Sequence, residues 1–567
     1  MREVTDAARA AAPSATAPSA AELADDLLDA IAVERPVDAT FVGIPGHDHE
    51  LPDLSEAGVA RLRERAARIA DQAAACADPD RVTVGVVRQQ AESMLARLDA
   101  RTVEFVLADA FESGGTNPLA MLPQLTPTGQ RAETDHLTRL AAVPDYYAAL
   151  AERHRTGLAA GRLPVDRMAR NAIAYVDRFL AQDPNPLLHH PLTGDRAEQR
   201  ARLVAERVLP ALAGYRDVLA EEVLGRGRPD EQPGLCWLPD GAAHYAALAR
   251  QHTTTDHTPE QLHRIGLDLI AALDAEYREV GGRAFGLDTA EQVRHRLRTD
   301  PALLWRDAEE MLAVARAAVA RASAAAPAWF RRLPLAACEV RPVPDADAPV
   351  AAPAYYIDPA PDGSRPGIFF TNTHEVTTRT RFIAEAVAFH EAVPGHHFQI
   401  ATAQELTGLP LLRTLAPVTS YQEGWALYTE RLADEMGLYS DDVMRLGMLA
   451  EDSVRAARLV VDTGLHALGW TRQQCVDYLR ANTVLSEVEV QSETDRYIEC
   501  PGQALSYMVG RLEIQRLRGQ AEAELGSAFD LRDFHDVVLG GGPLPLSVLA
   551  DVVRDWVATT RGAAGDR

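Results

Sequence analysis

Phe389-His390-Glu391-Ala392-Val393-Pro394-Gly395-His396-His397, followed by Glu423-Gly424-Trp425-Ala426-Leu427-Tyr428, is the part of the chain on which its reading turns. Apolar residues at Phe382, Ile383, Ala386, Val387 and Phe389 recur at helical spacing with no Gly or Pro among them, so His390 and Glu391 are predicted to ride on a buried helix. Two imidazoles, a carboxylate beside the first and a second carboxylate one helix later form a set able to hold zinc and activate water. The familiar zinc-peptidase motif sets its histidines four apart on one helical face, with the intervening glutamate as general base. Here the fourth position after His390 is Pro394, which cannot ligate, and the next histidines are His396 and His397. An unbroken helix would leave His390 and His396 roughly 9 Å apart along its axis. Pro394, however, removes a helical N–H and collides with the carbonyl of His390, and Gly395 tolerates the distorted backbone that results. A bulged or broken turn can therefore return His396 to the metal side, with His397 as the fallback ligand.

These residues resemble the bacterial family known as domain of unknown function 885. Its signature H-E-x-x-P-G-H-x-x-Q is matched by His390, Glu391, Pro394, Gly395, His396 and Gln399. Similarity continues in Glu423 to Tyr428, in Arg458 to His466 and in Pro501 to Tyr507, with weaker echoes at Leu238-Pro239-Asp240-Gly241 and His252-Thr253-Thr254-Thr255. It thus covers nearly the whole chain. The family is grouped with Glu-ligated zinc peptidases, and the resemblance implies that His396 rather than His397 is the second ligand. It also favours Glu423 over Glu430, which lies seven residues further along the same helix.

The expected roles follow from the chemistry. Neutral His390 and His396 with Glu423 leave a fourth position for water, the pattern of a catalytic site with one Zn2+ per chain. Glu391 would take a proton from that water and later return it to a leaving amine. An oxyanion stabiliser is sought among Tyr507, which follows the Pro501-Gly502-Gln503 break, Tyr497 and His466. Arg458, Arg496 and Arg511 are candidates to pair a substrate carboxylate, although salt bridges are the commoner fate of such arginines. Asn372, at a strand end, is a candidate for substrate backbone, and Glu385 and Asp462 are candidates to orient a ligand histidine.

The leading expectation is a zinc hydrolase that cleaves peptide or amide bonds in short peptides or at chain ends. Two histidines and one carboxylate also describe a non-haem iron(II) oxygenase, a reading weakened by Glu391, whose place beside the first ligand serves water activation. A catalytically silent peptide-binding protein is the third class. It would be expected had Glu391 or a ligand been lost, and neither has been.

Composition agrees with a large enzyme. At 567 residues with 47% hydrophobic content the chain exceeds one compact core. The expected organisation is a disordered tail over 1–20, a helical part over 21–230 covering the cleft, and a catalytic part over 231–567. A formal charge of −25 argues against nucleic acid or an anionic membrane as partner. There is no lysine, which excludes a lysine Schiff base, a phosphate-loop lysine and a Ser-Lys dyad. Five scattered cysteines without a C-x-x-C pair suggest a reducing compartment. With no signal-peptide core or membrane-length apolar stretch, the expectation is a cytoplasmic protein.

Most segments read as helix. Leu23 to Ala32, Glu56 to Ala75 and Tyr146 to Ala160 are amphipathic, and Thr258-Pro259-Glu260-Gln261 reads as a capping box opening a helix through Leu273. Breaks fall at Asp183 to Pro191 and at Gly225 to Gly234. Only Leu335 to Val343, Ala354 to Ile357 and Gly367 to Thr371 read as strands. The expected fold is therefore mainly α: a zinc-peptidase-like multi-helical architecture with one small antiparallel sheet beside the active-site helix. That sheet either binds an extended substrate along its edge or merely caps the core.

Overall fold

The computed structural model describes residues 17–565, apart from 110, 111, 346, 350, 361 and 362. Most of the expected tail, residues 1–16, lies outside the described residues. The chain is mainly α-helical, and local signals account for where many helices begin. Ser19 and Glu22 form a reciprocal capping box on Ala20–Glu34, which contains the predicted Leu23 to Ala32. The helix Glu56–Ala75 begins after a Ser55 cap. At Thr258 the predicted capping box is present, the hydroxyl accepting from the Gln261 N–H and the Gln261 side chain from the Thr258 N–H. That helix runs beyond Leu273 to Phe285, because Leu273, Tyr277 and Val280 continue the buried stripe until Gly286 stops it in the left-handed region at φ 68°.

The largest core gathers side chains from Leu23 through Val557, so the first helices pack into the same interior as the helices around His390, His396 and Glu423. A second core, drawn from Val37 and from Leu107 to Val223, holds together Gln130–Ala159, Asp166–Leu180 and Leu209–Val218. Through the larger core runs Asp442–His466, a helix buried on nearly every side and packed along Pro259–Phe285. Among the described residues, no helix is long and apolar enough to cross a membrane.

The three strands are β1 (Cys338–Pro342), β2 (Ala354–Ile357) and β3 (Gly367–Thr371), in the order β1-β3-β2. Here the expectation needs correction, since the sheet is mixed. β2 and β3 are antiparallel, with Tyr355 opposite Phe370, but β3 inserts beside β1 in the parallel sense, with Val340 opposite Phe369. The chain turns back through β2 and again into β3, which therefore runs in the direction of β1. β3 is the buried centre, and β2 lies on the edge nearest the motif helices.

Candidate metal centre

The helix Ala384–Glu391 ends at Ala392, whose φ and ψ of −105° and −106° leave the helical region, and a new helix, His396–Gln404, starts after Val393-Pro394-Gly395. The chain doubles back so tightly here that a Cβ on Gly395 would collide with the His390 carbonyl oxygen. This broken turn sets the His390 and His396 rings 4.8 Å apart and perpendicular. The Trp425 indole N–H donates to the Pro394 carbonyl at 3.0 Å, fastening the break to the helix Thr419–Glu435 that carries Glu423.

Glu423 Oε2 stands 3.4 Å from His390 Nε2 and 3.7 Å from His396 Nε2. One donor atom from each of the three residues lies within 4.8 Å of the others. Zinc bonds of about 2.0–2.2 Å in tetrahedral array separate donors by roughly 3.3–3.6 Å, so the two Glu423 separations are close to those of a divalent zinc and the donor types suit it in chemistry. Behind the cluster, His390 Nδ1 bonds the carboxylate of Glu430 at 2.8 Å. Burial opposes charge on His390, yet its hydrogen bonds to Glu423 and Glu430 push it up to about 10. Burial likewise opposes charge on Glu423, but the two imidazoles hold its carboxyl far below the usual range. A carboxylate kept ionised among basic nitrogens is a site where a cation replaces a shared proton. His396 Nδ1 is buried without a hydrogen-bond partner among the described residues.

The cluster opens on a cavity of about 430 Å³ that Glu391, Tyr507 and Arg458 also line. Tyr507 lies against the Arg458 guanidinium, 4.6 Å from ring centre to Cζ. Burial, reinforced by the charge of Glu423, pushes its hydroxyl upward, so it stays protonated and able to donate.

Other expected site residues are placed elsewhere. His397 points away from the cluster, its Nδ1 bonded to the Tyr356 hydroxyl at 2.8 Å and its Nε2 to the Ala336 carbonyl at 3.1 Å. His466 is wholly buried, accepting from the Leu235 N–H and donating to the Tyr497 carbonyl, and burial lowers it to about 4. It is a neutral bridge between segments, not a group facing the cavity. Tyr497 is also fully buried, and its hydroxyl is engaged by Glu493 and Arg458. Asn372 is buried and braces the loop before β2, donating to the carbonyls of Ala348 and Ala351 and accepting from the His374 N–H. Arg496 bonds Glu493 and Gln503, and Arg511 pairs with the buried Asp452, so both serve the interior. Glu385 bonds Arg321 and the Ser440 N–H, and Asp462 bonds Tyr245 and Gly502; neither reaches a histidine of the cluster. The carboxylate that bonds the far nitrogen of a cluster histidine is Glu430.

The cavity also has walls with little signal in the sequence: Arg455, Gln422, Ile400, Tyr355 and Tyr356. Arg455 is one arginine among 57 basic residues, and only its position three before Arg458 hints that both share a helical face.

A mainly helical fold in which two histidines and a glutamate converge on the wall of one cavity defines a protein built around a candidate metal centre. The chain belongs to the family described as bacterial protein of unknown function (DUF885), whose model matches residues 36–553. It is similar to the crystal structure of a protein from Colwellia psychrerythraea described as a "putative lipoprotein", with 29% identity, 95% of this chain and 100% of that one covered, and a TM-score of 0.86. A protein of the same description from Shewanella oneidensis shares the fold at 17% identity, with 94% and 100% covered and a TM-score of 0.76. No curated protein matches the chain.

Proposed function

We propose that this protein is a zinc-dependent hydrolase of peptide or amide bonds, with short peptides or chain ends as substrates. The observation that carries this reading is the convergence of His390 Nε2, His396 Nε2 and the Glu423 carboxylate beside a cavity that Glu391 also lines. Zinc held by these three residues would supply a Lewis acid and lower the pKa of a water. Glu391 accepts a proton from the water that attacks the carbonyl carbon, and gives it to the nitrogen as the C–N bond breaks. The Tyr507 hydroxyl donates to the carbonyl oxygen as negative charge develops there. Glu430 fixes His390 with its Nε2 lone pair towards the cluster. A cavity of about 430 Å³ suits a peptide segment of a few residues.

Elemental analysis paired with cleavage of a mixed-peptide pool tests the reading. The expected result is about one zinc per chain, lost in Glu423→Ala, with cleavage by the zinc-loaded wild type. Iron in place of zinc would move the site to the oxygenase class, and no bound metal would leave a binding protein. A cytoplasmic location is part of the same proposal and is supported by five unpaired cysteines. The description of the Colwellia psychrerythraea protein as a "putative lipoprotein" points the other way, and cell fractionation decides between the two.

A further inference from the structure

We infer that the cavity holds the carboxyl terminus of a peptide on Arg458 and Arg455, which, on the hydrolase reading above, makes the protein a carboxypeptidase. Both arginines project from the buried helix Asp442–His466, three residues apart, and both line the cavity that contains His390, His396 and Glu423. Arg458 is only 9% exposed and is fixed on three sides. Its Nε donates to the Tyr497 hydroxyl at 3.1 Å, its Nη2 donates to Glu493 at 2.9 Å, and its plane lies over the Tyr507 ring. Its Nη1 is buried with no hydrogen-bond partner among the described residues. Arg455 pairs with Glu451 of its own helix, and its Nε is likewise buried without a partner.

Buried donors are almost always satisfied, and charged ones are the costliest to leave bare. Two neighbouring guanidinium groups on one cavity wall suit an anion with two acceptor oxygens, for which a carboxylate is the matching shape. The neighbouring acids are committed elsewhere, Glu451 to Arg455, Glu493 to Arg458 and Glu430, whose charge Arg455 also feels, to His390, so a further anion on this wall would arrive with the substrate. Tyr507 lines the same cavity, carrying Arg458 on its ring while feeling the charge of Glu423, and Arg455 feels the same charge. A carboxylate held there therefore sits close to the metal donors, as the terminal carboxylate does when the last peptide bond is the one cut. A substrate ammonium would meet two guanidinium groups instead, which disfavours capture of an amino terminus.

The shared chemistry is a carboxylate, whose source is either the chain end or an acidic side chain. The test immobilises full-length, zinc-loaded Glu391→Gln protein and applies N-acetylated tripeptides free of Asp and Glu, prepared once as free acids and once as amides. The expected result is at least tenfold greater retention of the acids, with the preference abolished by Arg458→Met and weakened by Arg455→Met. Equal retention, retention of neither included, overturns the inference. Retention of amidated tripeptides bearing one Asp or Glu as strongly as the free acids also overturns it, by moving recognition to a side chain. The comparison of acids with amides needs no arginine variant, so it stands even where Arg458→Met fails to fold. Cleavage of the same acids by wild type is scored separately, and selective retention without cleavage would sink the hydrolase reading while leaving the carboxylate site in place.

Discussion

Glu430 Oε1 lies 2.8 Å from His390 Nδ1, while Glu423 Oε2 lies 3.4 Å from Nε2 of the same ring, so one helix grips a single imidazole at both nitrogens. Glu430 sets the tautomer and the aim of His390; Glu423 shares its target. Glu430→Gln keeps an acceptor but removes the charge and places an amide where a buried oxygen already lacks a partner. Zinc affinity is expected to fall about 10- to 100-fold, read by competition with a chelating dye, with helical content unchanged. An unaltered affinity would reduce the pair to an internal ion pair with no bearing on metal.

Glu391 differs from its neighbours in lining the cavity without belonging to the cluster of metal donors. Glu391→Gln should therefore retain zinc at the wild-type ratio while kcat falls by about 10²–10⁴. Loss of zinc together with activity would make Glu391 a ligand and leave the general base unassigned.

The two tyrosines near Arg458 separate by burial. Tyr507 lines the cavity, whereas Tyr497 is enclosed behind the guanidinium it holds. Tyr507→Phe keeps the ring beneath Arg458 and is expected to lower kcat about 10²–10³-fold with little change in KM. Tyr497→Phe should chiefly raise KM, because it loosens Arg458 without removing a group that meets the substrate. Steady-state kinetics on both variants checks the division, and identical kcat losses would refute it.

What was legible in the sequence is what local chemistry decides. Pro394 and Gly395 break the helix wherever they are placed, so the return of His396 to His390 can be read from five residues. The Thr258–Gln261 capping box is equally local. The sheet's mixed sense is not, because alternation reveals a strand but not its direction. Nor is the face that Asp442–His466 turns to the cavity: this helix is buried almost all round, so its apolar pattern does not distinguish Arg455 and Arg458 from Asp462 and His466. Their fates are set by what packs against each turn, including Pro259–Phe285, Tyr245 and the Gly502 N–H.

Asp462 provides a pH test of that packing. It is fully buried, and although Tyr245 and Gly502 donate to it, burial pushes it up to about 7, against about 3.9 in an unfolded chain. Below about pH 4 the carboxyl is protonated in both states. As pH rises from there the unfolded chain ionises while the folded one keeps its proton, so stability falls until about pH 7 and then levels off. Asp462→Asn retains an acceptor for Tyr245 and removes this slope. Relative to the variant, wild type is expected to lose about 2–4 kcal/mol between pH 4 and pH 8, measured by urea unfolding across that range. A flat difference would show that Asp462 stays ionised in the fold.

Finally, Glu423 and Tyr507 face one cavity because their helices touch backbone to backbone. A Cβ on Gly510 would collide with the Ser420 carbonyl oxygen, and one on Gly424 would sit 2.5 Å from Gly510 Cα. Thr419–Glu435 and Ser506–Leu525 can approach this closely only with glycine at both positions. Gly510→Ala forces the helices apart, with an expected loss of about 1–3 kcal/mol and a fall in kcat as Tyr507 withdraws from Glu423. Gly519→Ala on the same helix meets nothing within 4 Å and should gain about 0.5–1 kcal/mol from helix propensity alone. Thermal unfolding of the two variants side by side separates contact from propensity. Equal stabilisation by both would mean that the helices stand further apart at Gly510, and that the cavity wall is not set by this glycine pair.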